Sequence, residues 1–359
     1  MRRFLAVTVM LAAAATSANA QSALLDNCAA LPVPGGTPAA VQSLIQSQNQ
    51  VLCAQVVSAV QNVQPTIGIA FSAANPTLGT ASTIGKRLGM FPRISVSARA
   101  NIALADMPDL FNGFSPTLTT SQLPAMGTSK VPVASLQGDV ALGIFNGLSL
   151  GPAISGLGAV DLLGSVSFVP TVQKAGIQST IFNFGGGARV GIIKQGILMP
   201  GVSLTGMYRR MGDVTFGDIN SGDPAQFTTN LQDISLRAMI SKGLLLLDVA
   251  AGGGYDIYKS DIDMQWNLTC DPAVCGGVTA LTFPGQVSGS IQTAAWNVFA
   301  DAGISLFLLH VVAEVGYQKP TSVIGPADLQ NASLPSQDLV SKDLSGGRLF
   351  GSVGVRIVF

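Results

Sequence analysis

The residues in this chain able to do chemistry are few, and their spacing narrows what they can do. The single histidine, His310, stands just after the Phe307-Leu308 pair. A nucleophilic or general-base site needs such a ring within hydrogen-bond reach of a serine or carboxylate. No carboxylate pair has a spacing that suggests an acid–base couple, so no catalytic residue is assigned and the expectation is a protein that is not an enzyme. Gly185-Gly186-Gly187 and Gly252-Gly253-Gly254 lack the Lys-Ser/Thr element and following helix of a phosphate loop. They read instead as strand positions that leave room for bulky neighbours. Asp256, Asp261 and Asp263 are oxygen ligands of the type calcium takes, but solvated loop acids are the simpler reading. No metal or cofactor is expected.

Four cysteines form two local pairs, Cys28 with Cys53 and Cys270 with Cys275. In an oxidising compartment an even count suggests disulfides between near neighbours. Zinc at Cys270-Asp271-Pro272-Ala273-Val274-Cys275 would need two further ligands, and His310 is remote in sequence. The largest chemical group is a dispersed set of charges: Arg99, Asp139, Asp161, Arg189, Arg209, Asp233, Arg237, Asp248, Asp256, Asp301, Glu314 and Arg356. Their meaning depends on the elements that carry them.

The N-terminal residues indicate the compartment. Arg2 and Arg3 precede a short apolar stretch, Phe4 to Ala15, and Ala18-Asn19-Ala20 is a small-residue cleavage box. Residues 1–20 are therefore expected to be a secretory signal peptide, with the mature chain starting at Gln21. Its removal leaves 17 basic and 19 acidic residues, a net charge of −2, which gives no basic footprint for nucleic acid. Charged residues make up only 11% of the chain, yet no apolar run approaches the ~20 residues of a membrane helix. Apolar residues spread over alternate positions of an exported, Gly-rich chain suit a β-barrel instead.

From Pro92 onward the chain reads as ten strands, at about 93–105, 135–145, 160–169, 180–194, 201–216, 228–241, 244–265, 288–306, 309–319 and 346–359. Links after even-numbered strands, such as Lys242-Gly243 and Phe307-Leu308, are mostly short. Those after odd-numbered strands, such as 106–134, 266–287 and 320–345, are mostly longer. This alternation fits short periplasmic turns and longer external loops. Successive side chains of a strand point to opposite faces. With Ile94-Val96-Ala98 and Val311-Ala313-Val315 set toward lipid, all twelve charges fall on the inner face. Arg210, Lys259, Asp261 and Asp263 are exceptions, and the last three are expected above the lipid at a strand end. A Lys or Arg facing the bilayer midplane costs about 2–4 kcal/mol, which explains the segregation. Five basic and seven acidic inward residues suggest a cross-lumen salt-bridge network rather than a selectivity ring. Tyr208, Tyr255, Trp296 and Tyr317 share the outward parity and suggest an aromatic girdle.

The last strand alternates Leu349, Gly351, Val353, Val355, Ile357 and Phe359 on one face. Residues Gly354-Val355-Arg356-Ile357-Val358-Phe359 resemble the C-terminal signature of bacterial outer-membrane barrels. That resemblance implies an all-β transmembrane up-and-down antiparallel barrel, with Phe359 as the assembly signal read by the barrel assembly machinery and outer-membrane lipid as the surroundings. At a coarse level the chain also resembles the long-chain fatty acid transporter family, whose barrels carry an N-terminal hatch and end in an aromatic residue. This chain is shorter and has fewer expected strands, and no binding residue carries over.

Residues 21–91 precede the barrel of 92–359. Val41, Leu44, Ile45, Leu52, Val56, Val57, Val60 and Val63 recur near helical spacing. Ile67 to Phe71 suggests a short strand and 75–90 an irregular stretch. A segment so short and poor in large apolar residues cannot bury a core alone, so it is expected to act as a hatch in the lumen. The functional expectation is passive transport or binding of small molecules, hydrophobic ones included. The alternative is a non-conducting structural or surface-interaction barrel that presents its loops.

Overall fold

The computed structural model describes residues 24–31, 41–85, 92–108, 117–118, 125, 127–149, 155–170, 180–222, 225–270, 282–321, 330–334 and 346–359. The expected signal peptide at 1–20 and Cys275, the second member of the expected Cys270–Cys275 bridge, lie outside them. The strands are β1 (Arg93–Pro108), the two-residue β2 (Thr117–Leu118), β3 (Thr128–Phe145), β4 (Val160–Val169), β5 (Ile181–Ile193) and β6 (Gly201–Phe216). They continue with β7 (Ala225–Leu244), β8 (Leu247–Cys270), β9 (Thr282–Leu306), β10 (Leu309–Pro320) and β11 (Arg348–Val358). Apart from β2, which pairs parallel with the end of β8, each pairs antiparallel with its chain neighbours. β1 pairs with β11, where Ser95 lies opposite Val358 and Leu104 opposite Leu349. The ring is thus a closed ten-stranded up-and-down barrel, which leaves no long sheet edge unpaired.

Period-two alternation fixes which face meets which solvent. Val96, Leu104, Leu136, Leu162, Phe184 and Val353 are among the large apolar side chains exposed on the outside. The inner face is polar, as a bilayer-spanning barrel requires. The tight β7–β8 turn is at Leu245-Leu246 rather than at Lys242-Gly243 as expected. Pairing runs through Lys242 opposite Val249 and ends at Leu244 opposite Leu247.

Strand length reveals a second level. About 9–11 tilted residues cross a membrane, and the ten residues of β4 suffice. β8 and β9 have 24 and 25. The register joins Tyr255 to Leu236 and Trp296, and Tyr317 lies opposite Val298. The Trp296 and Tyr317 rings are 5.7 Å apart. With Tyr208, opposite Ile234, these outward aromatics mark one border of the apolar band. Beyond it the pattern inverts. Lys259, Asp261 and Asp263 face outward, while Ile262, Met264, Trp266 and Leu268 are buried inside. Water has replaced lipid outside, so the wall there is built like a soluble protein.

Two helices fill the interior: α1, residues 24–29, and α2, Gln42–Ser72. α2 is long, but no described helix is apolar enough to cross a membrane. It is buried among strands on many sides of the ring, with contacts to β1, β3, β8 and β9. Its first half packs Ile45, Leu52, Val56 and Val57 against Trp266, Leu268, Phe283 and Val287 of the raised wall. The core that residues 21–91 could not form alone is therefore shared with β7–β9. Ile67 to Phe71, expected as a strand, is the last part of α2. β-Branched residues favour strands, but a closed ring offers no free edge, and only a helix satisfies its backbone internally.

Candidate functional site

The lumen brings together most of the charges singled out by alternation. Eleven of the twelve are buried, and Asp248 is partly exposed. Arg189 and Asp161 lie opposite each other on β5 and β4 and form a 2.7 Å ion pair. Arg209 and Asp233, opposite on β6 and β7, meet at 3.0 Å. Arg99 meets Asp139 diagonally at 3.3 Å, and Arg237 meets Asp256 at 2.7 Å. These pairs join adjacent strands along the wall, not opposite walls as the cross-lumen network anticipated. The reason is steric, because α2 and residues 73–85 occupy the space such a bridge would cross. Glycine makes room here: a Cβ at Gly254 would lie 2.5 Å from Arg237 Cδ. At Gly68 of α2 a Cβ would come 2.1 Å from the ring of the buried Tyr258.

The charges also hold the backbone of the inner segment. Glu314 accepts the N–H groups of Ala74 and Asn75 at 3.0 and 2.8 Å. Asp301, directly opposite Glu314 on β9, accepts the side-chain amide of Asn75 and the N–H of Gly79 at 3.1 Å. The two carboxyls thus share one set of donors, the backbone N–H groups of residues 74, 75 and 79. Where α2 ends, Arg99 donates to the carbonyls of Asn75 and Ser72 at 2.6 and 3.3 Å. Arg237 donates to Ala74 O at 3.0 Å. Cations at helix C-terminal carbonyls complement the helix dipole. Further on, Arg189 donates to Thr80 O at 3.2 Å, and Asp161 accepts the N–H of Ile84 at 3.0 Å.

Two members were missed by the sequence reading. Arg348 is buried and donates to Asn62 O of α2 at 2.7 Å; it shares the parity of Arg356, a signal the sequence contained. Asn75 lies in the stretch expected to be irregular, and nothing local marked it as the centre of the clamp. Arg356 is buried opposite Ser97 and His310. Phe359 donates its N–H to Ile94 O at 2.9 Å, extending the β1–β11 seam. Cys28 and Cys53 form a disulfide, with Cα atoms 5.6 Å apart.

Asp248, Ser305 and His310 cluster at the tight-turn end of β8–β10. His310 Nδ1 lies 2.7 Å from Ser305 Oγ and 3.1 Å from Asp248, and the Ser305 hydroxyl donates to the same carboxylate. A nucleophile relay places one ring nitrogen on the serine and the other on the carboxylate. Here a single nitrogen faces both. Asp256 and Asp261, considered together as calcium ligands, point to opposite faces of β8, and Asp256 is paired with Arg237. Among the described residues no cluster of His, Cys, Asp or Glu could hold a metal.

No protein family and no curated relative matches the sequence. Among solved structures it is similar to the outer membrane protease OmpT of Escherichia coli, at 9% identity and TM-score 0.34, covering 75% of this chain and 97% of that one. The translocator domain of the autotransporter NalP from Neisseria meningitidis is 12% identical, TM-score 0.37, covering 76% and 89%. A Pseudomonas aeruginosa FadL homologue is 10% identical, TM-score 0.27, covering 82% and 97%. The likeness is one of barrel architecture.

Proposed function

We propose that this chain is a plugged, non-conducting and non-catalytic outer-membrane barrel that anchors a raised wall at the cell surface for contact with partners outside. The observation that carries this reading is the filling of the lumen by α2 and residues 73–85, whose backbone is held by Arg99, Asp161, Arg189, Arg237, Asp301, Glu314 and Arg348. A helix with its side chains is about 10–12 Å across, and a barrel of about eight strands is already filled by its own side chains. Hydrogen bonds to charged groups contribute about 1.5–3 kcal/mol each, so the plug is held by many cooperating contacts. Passive transport through the lumen would require that set to break.

The raised wall supports the surface role. β8 and β9 continue well past the aromatic border on the side of the longer links, which is the external side by the usual asymmetry of such barrels. Recording from purified protein in planar bilayers tests the reading. The intact barrel is expected to be silent, and a variant lacking residues 24–85 to conduct. Stable channel events from the intact protein would refute the proposal and favour transport.

A further inference from the structure

The tight-turn end of the barrel is apolar where a turn in water would be polar. The β5–β6 turn carries Ile197 and Leu198, the β7–β8 turn Leu245 and Leu246, and the β9–β10 turn Phe307 and Leu308. Ile197, Leu245 and Phe307 are fully exposed, and none of the six is charged. Two of these side chains are held against the preference of the backbone. Leu245 and Phe307 have φ of 55° and 58°, a left-handed conformation that hairpin turns usually give to Gly, Asn or Asp. The turn carbonyls are also satisfied from within. Lys242 Nζ donates to Gly196 O and Ile197 O at 3.0 and 2.6 Å. Leu246 O accepts the N–H of Ser305 at 2.8 Å, and Leu308 O that of Val358 at 3.4 Å. Water could supply such partners to an exposed turn, and lipid could not.

Depth points the same way. From Tyr255 at the aromatic border to Leu247 beside its turn is eight steps of β8, and from Tyr317 to Leu309 eight steps of β10. At about 3.3 Å per residue and a tilt of about 40°, eight steps descend roughly 20 Å, less than the apolar band of about 25 Å that such barrels present. All four tyrosines and both tryptophans lie at or beyond the border on the long-link side, so none marks the opposite one. We propose that the turn tips are a lipid-docking collar. Ile197, Leu198, Leu245, Leu246, Phe307 and Leu308 insert among the phospholipid acyl chains of the leaflet on the tight-turn side, in place of a second aromatic girdle, and this mouth of the barrel opens at the headgroups rather than beyond them. Lipid fits better than a protein partner because the tips continue the lipid-facing surface of Leu244, Leu247, Val249, Ile304 and Leu306 without a polar break. They also recur on three successive hairpins around the ring, where an annulus of lipid reaches all of them.

Fluorescence of the full chain in phosphatidylcholine vesicles tests the collar. Trp296→Phe leaves only Trp266, buried in the raised wall, and Leu246→Trp or Leu198→Trp then adds a reporter at a tip. The added emission is expected to be lost mainly to phosphatidylcholine brominated on its acyl chains, and little to iodide present on both faces. Iodide quenching equal to or above the lipid quenching would put the tips in water and overturn the collar. Protection from both quenchers would mean that protein, a second copy included, covers the tips, and would overturn it as well. Should the tryptophan variants fail to fold, Leu245→Asn with Phe307→Asn gives a second measurement. Asparagine suits a positive φ better than leucine or phenylalanine, so in water the pair of changes should raise the urea unfolding midpoint. With the tips in lipid the midpoint in vesicles is expected to fall, and an unchanged or raised midpoint would overturn the collar. Neither measurement depends on which mouth faces the cell surface or on whether the lumen conducts.

Discussion

Glu314 of β10 accepts the peptide N–H of Asn75 at 2.8 Å, the bond by which the barrel wall grips the plug just past the end of α2. The same carboxylate takes the N–H of Ala74. Glu314→Gln keeps the shape but presents an amide donor to one of two N–H groups. A loss of about 1–3 kcal/mol is expected from the unsatisfied donor, measured by urea unfolding in lipid vesicles. Brief conductance openings, absent from the parent protein, should accompany it in planar bilayers.

The Arg189–Asp161 pair gives a test of buried charge. Arg189→Met leaves the fully buried Asp161 without its cation and should cost about 3–5 kcal/mol. Arg189→Met with Asp161→Leu should be milder than Arg189→Met alone, since no charge remains to be compensated. It should still fall short of the parent, because the N–H groups of Ile84 and Gly85 lose their acceptor. A double-mutant cycle on unfolding midpoints measures this non-additivity.

Alternation in β10 by itself makes Val311→Arg costly and Val312→Arg mild, as lipid-facing and lumen-facing changes. The structure alters the second half. Val311 is 40% exposed toward lipid, but Val312 is 1% exposed and packs against Gly79 of the plug and Gly303 of β9. Val311→Arg is expected to cost about 2 kcal/mol. Val312→Arg should cost at least as much, because it combines overpacking of about 1–3 kcal/mol with an unpaired buried charge. The folded fraction on heat-modifiability gels compares the two.

Ala73 leaves α2 with φ of 44° and ψ of −171°, a region that glycine occupies far more readily. The Glu314, Arg99 and Arg237 contacts on either side hold it there. Ala73→Gly should raise stability by about 1 kcal/mol through relief of that strain, seen as a higher unfolding midpoint with the plug contacts unchanged.

The sequence alone determined what depends on local period. Two-residue alternation, broken by short turns, was enough to place ten strands and to separate lipid-facing Val96 or Val311 from inward Arg99 or Glu314, because a strand has only two faces. It also marked α2 as far as Val63, through apolar residues at helical spacing. Tertiary structure decided what depends on register between strands and on what fills the ring. Arg189 meets Asp161 because β4 and β5 align them, and no feature of either strand alone states that offset. Ile67 to Phe71 became helix because the closed barrel left it no edge to join. Trp266 and Leu268 turned inward to a core supplied by residues more than two hundred positions earlier, where water rather than lipid surrounds the wall. The same alternation served both solvents, and only the depth of each residue relative to the aromatic border showed which one it met.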